Sequence, residues 1–498
     1  MDMPNPNLNR DASLRYLADP RLQREFAYLN GRWQAAEDGS VIAVTNPASG
    51  AVLGHVPNMK AGETRRAIEV AEKAFPTWRR LLPQERAAKL RAWYEAIIAN
   101  REDLALIMTL EQGKPLAEAR GEIDYAASFV EWFAEEAKRV NGEVIAGHLP
   151  GRSMSVRREP IGVAAAVTPW NFPSAMITRK AAAALAAGCP VIVRPASETP
   201  FSALALAELA ERAGMPAGVF SVITGSRAIV GELCTNATVR AISFTGSTDV
   251  GRILLRQSAD TVKRMAMELG GHAPFMLFPD MELDEGVNGA LAAKFQTSGQ
   301  DCLAANRIYV HADRYEAFLE RFADAMGELN VGDGLDPNTD IGPLMNESSV
   351  AKCEAHVQDA LAKGARLIRG GKRHQKGGLF FEPTLLADVT PGMAISHEET
   401  FGPVAAVTRF DSEAELIAQM NHPEYGLIAY LYTNDHSRIC RLTDALEFGM
   451  VAVNCVKVTG HPIPFGGVKQ SGLGREGGRW GLDEFTEYKY VCAAYRAA

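Results

Sequence analysis

The chain has 498 residues, 47% hydrophobic and 22% charged, with a formal net charge of −8. This is globular composition at a length that accommodates two or three folding units, and its acidic balance leaves no electrostatic footprint for nucleic acid or an anionic membrane. Seven scattered cysteines without a Cys-x-x-Cys pair fit neither a disulfide framework nor a structural zinc site, and accord with a reducing cytoplasm.

In chain order, Met1–Asp11 is polar, Pro/Asn-rich and lacks the basic-then-apolar pattern of a signal peptide. Asn30-Gly31, flanked by Phe26–Tyr28 and Arg32–Trp33, predicts a type I′ hairpin. Residues 62–140 predict several amphipathic helices, with Ile68, Ala71, Ala74 and Phe75 at helical spacing. The longest small-apolar run, Ala181–Val193, is broken by Gly188, Cys189 and Pro190 and is too short to span a bilayer.

From residue 160, β-rich runs recur at Gly162–Val167, Val191–Val193, Val219–Ile223, Val239–Phe244 and Pro274–Phe278. Helical stretches such as Ser202–Ala213 separate most of them, which predicts right-handed βαβ units and a doubly wound sheet. Ligands on such sheets bind beyond the carboxyl ends of the strands. Those ends read Thr168–Asn171, Arg194–Ser197, Thr224–Ser226 and Thr245–Ser247.

A second alternation begins after residue 283. Asp284 is positioned to cap a helix carrying Val287, Ala290, Leu291 and Phe295, which stops near Ser298-Gly299 and leaves Cys302 on a loop. Runs at Arg307–Val310, Val404–Thr408 and Leu427–Tyr432 predict a second α/β domain. The tail, Phe485–Tyr495, alternates like an edge strand of the kind that pairs with another subunit.

Several segments carry chemistry. Cys302 stands in a polar, glycine-containing loop, Ser298-Gly299-Gln300-Asp301-Cys302, and an unperturbed thiol with pKa of about 8.5 needs a base or positive field to act as a nucleophile. Glu268, at a strand-to-turn junction before Gly270-Gly271, is a candidate base or simply an exposed turn residue. Phe244-Thr245-Gly246-Ser247-Thr248 opens a helix whose free N–H groups suit a phosphate, although a plain capped helix start explains it equally well. Thr168-Pro169-Trp170-Asn171-Phe172-Pro173 fixes an asparagine between two prolines, either as an oxyanion donor or as part of a rigid turn. Glu398–Pro403 offers carboxylates for a ribose, or is a surface turn.

Taken together, Thr168–Pro173, Glu268–Gly271, Gly299–Cys302, Glu399–Pro403 and Pro464–Gly467 resemble, in order, the aldehyde dehydrogenase superfamily. The likeness runs from Leu29-Asn30-Gly31 to Tyr488-Lys489-Tyr490. It implies an α/β fold with a Rossmann-like coenzyme domain (1–143 and 161–271), an α/β catalytic domain (272–474) and a small β oligomerisation element (144–160 and 475–498) in a homodimer or homotetramer. It also implies that Cys302 attacks an aldehyde, that Asn171 and the Cys302 N–H hold the oxyanion, and that Glu268 activates the hydrolytic water. Lys180 and Glu476 match positions that support proton relay. Thr168, Trp170, Gly225, Gly246, Ser247, Glu399 and Phe401 match coenzyme positions.

The chain departs from the common pattern at Arg194–Ser197, at Gln296 and at His272, where asparagine or leucine often follows the two glycines. Arg194-Pro195-Ala196-Ser197 lacks the glutamate that would repel a 2′-phosphate, so NADP is expected to be accepted alongside NAD. Trp170–Lys180 and Gly467–Gly477 resemble the succinate-semialdehyde dehydrogenase branch, in which an arginine matching Arg179 binds the substrate carboxylate. A second arginine, normally six residues before the cysteine, is Gln296 here, which weakens carboxylate binding and keeps an uncharged, aromatic, hydroxylated or sulfonated aldehyde open. A catalytically silent relative is the alternative from another class, and joint retention of Cys302, Glu268 and Asn171 argues against it.

Overall fold

The protein is described here by a computed structural model covering residues 12–421 and 424–495; Met1–Asp11 lies outside the described residues. Asn30 and Gly31 take the left-handed backbone that a type I′ turn requires (φ 54° and 67°), pairing Ala27–Leu29 with Arg32–Gln34. This hairpin forms one edge of an eight-stranded sheet. Beyond it lie Phe220–Val222, Val191–Arg194, Val163–Val167, Val239–Thr245, Arg264–Glu268 and Gly472–Leu473. The five strands between Phe220–Val222 and Arg264–Glu268 are parallel, and the edges are antiparallel.

Helices cover both faces of the sheet, as buried apolar strands demand. One face packs against Pro83–Ala99, Leu116–Glu136, Ala175–Ala187 and Pro200–Arg212 through Leu90, Trp93, Phe129 and Phe133. The other packs against Ala61–Trp78, Arg227–Thr235 and Thr248–Ser258 through Ile68, Leu233 and Leu254. All of Ala175–Ala187 is buried, and its run of alanines lets the neighbouring helices and the sheet approach closely. Among the described residues no helix is long and apolar enough to cross a membrane.

The chain leaves the first sheet at Glu268 and enters the second at Ala273. The run at Pro274–Phe278, read in sequence with the first alternation, is therefore Ala273–Leu277 at the interior of a seven-stranded sheet, between Ala305–His311 and Ile428–Tyr432. Val404–Phe410, Thr384–Ala387, Arg366–Arg369 and Met450–Val453 complete that sheet. Near the boundary expected at residue 474, Gly472–Leu473 pairs with Met267 and Glu268 of the first sheet. Asp284 is not the cap of its helix. Glu282 precedes Leu283–Phe295, and Asp284 lies in the first turn, where a negative charge favours the helix dipole. The tail strand Thr486–Ala494 pairs along its length with Arg152–Pro160, and Glu143–Ile145 follows on the far side. Its own outer edge carries exposed Tyr488 and Tyr490.

Candidate active site

Leu283–Phe295 ends abruptly. Thr297 and Ser298 both hold left-handed backbone (φ 49° and 58°), a strained state for residues with a Cβ that persists only where surroundings impose it. Glu118 accepts from the Thr297 N–H at 3.0 Å and from its hydroxyl at 3.3 Å, and the Ser298 hydroxyl donates to Gly342 O at 2.9 Å. A Cβ on Gly299 would lie 2.3 Å from Gly402 O, so only glycine lets the loop pass. The Gln300 carboxamide accepts from Met345 N at 2.9 Å, while its backbone carbonyl receives Asn171 Nδ2 at 3.0 Å. Cys302, half-buried, follows this anchored run. Burial and the Asp301 carboxylate push its thiol well above the usual range, and Arg179 opposes them.

The same logic explains Glu268-Leu269-Gly270-Gly271. Glu268 ends its strand opposite Gly472, and a Cβ on Gly271 would meet Cys302 O at 2.1 Å. The two motifs cross at backbone contact. Glu268 is buried, and its Oε2 has no hydrogen-bond partner. Burial, then the Glu476 charge, push its carboxyl well above the ordinary carboxylate range, against Arg179, Lys180 and Arg475.

Arg179 and Lys180 come from the fully buried helix. Arg179 Nε and Lys180 Nζ both donate to Glu476, which also accepts from the Ser243 hydroxyl at 3.1 Å. Burial would raise the Glu476 carboxyl, but Arg179 and Lys180 overcome it and hold it below the usual range. Burial lowers Lys180. The Arg179 guanidinium lies 4.1 Å from the centre of the Phe465 ring, and Nη1 and Nη2 are buried with no carboxylate or carbonyl accepting from them, only the Tyr125 hydroxyl alongside. Tyr125 borders the same charge: burial raises its phenol and Arg179 opposes that.

A second buried pair positions this helix. Lys114 Nζ donates to Glu122 at 2.6 Å and to Asn171 O at 2.8 Å, 4.1 Å from the Phe172 ring centre. The other Glu122 oxygen accepts from Ser174 N at 2.9 Å and Ala175 N at 3.2 Å, satisfying orphan donors at the helix start. Lys114, Glu122, Glu118 and Ser243 were not found from sequence, and Phe465 was read only as part of the Pro464–Gly467 motif. Each is an ordinary residue type in its segment, and the partners are remote.

At the carboxyl ends of the strands, Ser247 caps Thr248–Ser258 by accepting from Val250 N at 3.4 Å, and Gly246 N donates to Glu268 O at 3.0 Å. Arg194 Nη2 donates to Ser197 Oγ at 3.1 Å and Gly225 O at 3.0 Å. Gly225 (φ 148°) abuts Met59, whose carbonyl a Cβ would approach to 2.3 Å. Trp170 and Phe401 meet edge to face at 5.5 Å. Glu399 Oε1 accepts from Gly271 N at 3.2 Å, and burial lifts its carboxyl to about 7. The Thr168 and Thr245 hydroxyls and Arg194 Nε are buried without partners. Gln296, by contrast, is exposed at the end of its helix.

Residues 33–491 match the model of the aldehyde dehydrogenase family. The chain belongs to that family. As an aldehyde dehydrogenase it works with NAD or NADP. Among similar proteins, the aspartate-semialdehyde dehydrogenase (non-phosphorylating) of Halomonas elongata is 57% identical, covering 96% of this chain and 97% of that one. The succinate-semialdehyde dehydrogenase [NADP(+)] of Escherichia coli is 55% identical, covering 96% and 99%. A crystal structure described as an E. coli NADP-dependent enzyme superposes with TM-score 0.95 at 55% identity, over 96% of this chain and 100% of that one. The fold read from the motifs is thus the fold observed.

Lys114→Met leaves the Glu122 carboxylate buried without its cation, held only by the Ser174 and Ala175 N–H groups. It is expected to lower unfolding free energy by about 3–5 kcal/mol, read by urea denaturation. A change within about 0.5 kcal/mol, the size of an ordinary surface substitution, contradicts the clamp.

Proposed function

We propose that this aldehyde dehydrogenase oxidises a small anionic semialdehyde, succinate semialdehyde or a close chemical relative, to the carboxylic acid. One observation carries this reading: Arg179 presents two buried guanidinium nitrogens that no carboxylate matches, beside the Tyr125 hydroxyl, in the cluster that holds Glu268 and acts on Cys302. An unsatisfied buried cation is costly, and a carboxylate matches its planar donor fork. The relatives named for aspartate and succinate semialdehyde act on aldehydes that carry such a group. Exposed Gln296 adds no second cation, so Arg179 acts alone.

The chemistry divides among the chain's own residues. Once deprotonated, Cys302 Sγ forms a C–S bond with the aldehyde carbon. Asn171 Nδ2 has two hydrogens and gives one to Gln300 O; the other, with the Cys302 N–H, stabilises the oxyanion. A bound nicotinamide coenzyme supplies the acceptor for the hydride lost from that carbon. Glu268 then takes a proton from water as the water oxygen attacks the thioester, releasing the acid and the thiolate. Lys180 and Glu476 lie beside Glu268 to carry that proton away. The unpartnered hydroxyls of Thr168 and Thr245, the Ser247-capped helix start and the Trp170–Phe401 pair fit a dinucleotide, with Glu399 at a ribose. Arg194 and Ser197, without a carboxylate at that position, favour NADP. The open edge of Thr486–Ala494 is the surface for a homodimer or homotetramer.

For the wild-type enzyme, kcat/KM for succinate semialdehyde is expected to exceed that for butanal by about a hundredfold, roughly 2.7 kcal/mol. Arg179→Gln removes most of that ratio, in which losses common to both substrates cancel. Equal efficiencies in the wild type contradict the anionic-semialdehyde reading.

The raised carboxyl of Glu268 sets a pH dependence. A general base works as the carboxylate, and a raised pKa leaves the neutral acid populated at pH values where an ordinary glutamate is ionised. Thioester hydrolysis, followed by single-turnover kinetics, should therefore accelerate from the ordinary carboxylate range upward through neutral pH. Glu268→Gln should be flat in pH and slower by about 10²-fold or more. A wild-type rate independent of pH contradicts Glu268 as the base.

A further inference from the structure

The helix Glu347–Ala362 lies outside the catalytic cluster, yet one of its faces is given over to the segment carrying Glu399 and Phe401. Asp359 accepts from Ala394 N at 2.7 Å. One helical step back, the His356 ring meets Thr400 Oγ1 through Nδ1 at 3.1 Å and Glu398 Oε2 through Nε2 at 3.3 Å. A step further, Cys353 Sγ lies where a Cβ on Gly402 would stand only 2.3 Å away. Spacing of three residues places all three side chains on one face.

We infer that His356 is a positioning residue for coenzyme binding: its ring clamps the residues on either side of Glu399 and so fixes the directions of the Glu399 carboxylate and the Phe401 ring. This rests on the proposed role of Glu399 at the ribose. Three features support it. His356 and Thr400 are both buried, so neither group exchanges this bond for water. Glu398 can only accept, so Nε2 carries the proton and Nδ1 accepts from the Thr400 hydroxyl, which satisfies the neutral ring at both ends. Phe401 holds left-handed backbone (φ 56°) next to Thr400, a conformation that endures only when its neighbours over-determine it. Burial lowers the ring's basicity and keeps this neutral form.

The test uses the full-length enzyme and titrates NADPH and NADH binding by coenzyme fluorescence, alongside steady-state kinetics. His356→Ala is expected to raise coenzyme Kd and KM about tenfold while kcat at saturating coenzyme and aldehyde KM stay within about twofold. His356→Asn, whose amide replaces Nδ1, should restore coenzyme Kd to within about threefold, whereas His356→Gln, which reaches toward exposed Glu398, should restore less. Glu399→Gln serves as the reference. If it raises coenzyme Kd and His356→Ala does not, the positioning role is overturned while the ribose reading stands. If Glu399→Gln itself leaves Kd unchanged, the ribose reading falls and the inference with it. Should His356→Ala fail to fold, the other two variants decide: selective loss of coenzyme affinity with asparagine nearer wild type supports the role, and equal losses in kcat and both KM values overturn it.

Discussion

Two cations on consecutive residues of a buried helix, Arg179 and Lys180, meet one ionised carboxylate, Glu476, and the active centre is arranged around that imbalance. Removing an ion from water costs several kcal/mol unless partners replace the water. Glu476 takes Arg179 Nε and Lys180 Nζ, which leaves the terminal nitrogens of Arg179 beside Tyr125 without an anionic partner. The remaining positive field opposes the upward push that burial gives to both Cys302 and Glu268. An incoming carboxylate is the anion this cluster lacks. On the proposed reading, substrate recognition and the tuning of nucleophile and base share one charge.

Rigidity around that cluster comes from contacts that exclude alternatives. The Lys114–Glu122 pair ties Asn171 to the start of the helix bearing Arg179 and Lys180. Glycine at 271 and at 299 lets the turn after Glu268, the Cys302 loop and the Gly402 backbone touch. A methyl group at either position would have to push backbone aside. Strained Thr297, Ser298 and Phe401 lie where these segments cross, which is where over-determined packing can sustain them.

Much of this was legible in the sequence, for local reasons. The Asn30-Gly31 turn, the helical periodicity after residue 61 and the strand ends at Thr168, Arg194 and Thr245 are written in turn chemistry and period. Resemblance to one family then singled out Cys302, Glu268 and Asn171 together as candidates. What stayed hidden was non-local. The Arg179–Glu476 pair spans 297 residues and Lys114–Asn171 spans 57, and no period relates either pair. The sheet to which Ala273–Leu277 belongs is completed on one side by Ile428–Tyr432, more than a hundred residues later, and the return of Gly472 to the first sheet rests on two paired residues. Gln296 illustrates the reverse case. Its difference from the expected arginine was visible at once, while its exposure was not.

The central claim, that Arg179 holds the carboxylate of the substrate, is tested most directly by the crystal structure of the Cys302→Ala enzyme with succinate semialdehyde bound. A carboxylate within about 3 Å of both Nη1 and Nη2, with the aldehyde carbon at the position vacated by the thiol, is the result expected. A carboxylate lying toward Gln296 or in solvent, with the Arg179 nitrogens bonded to water, would contradict it.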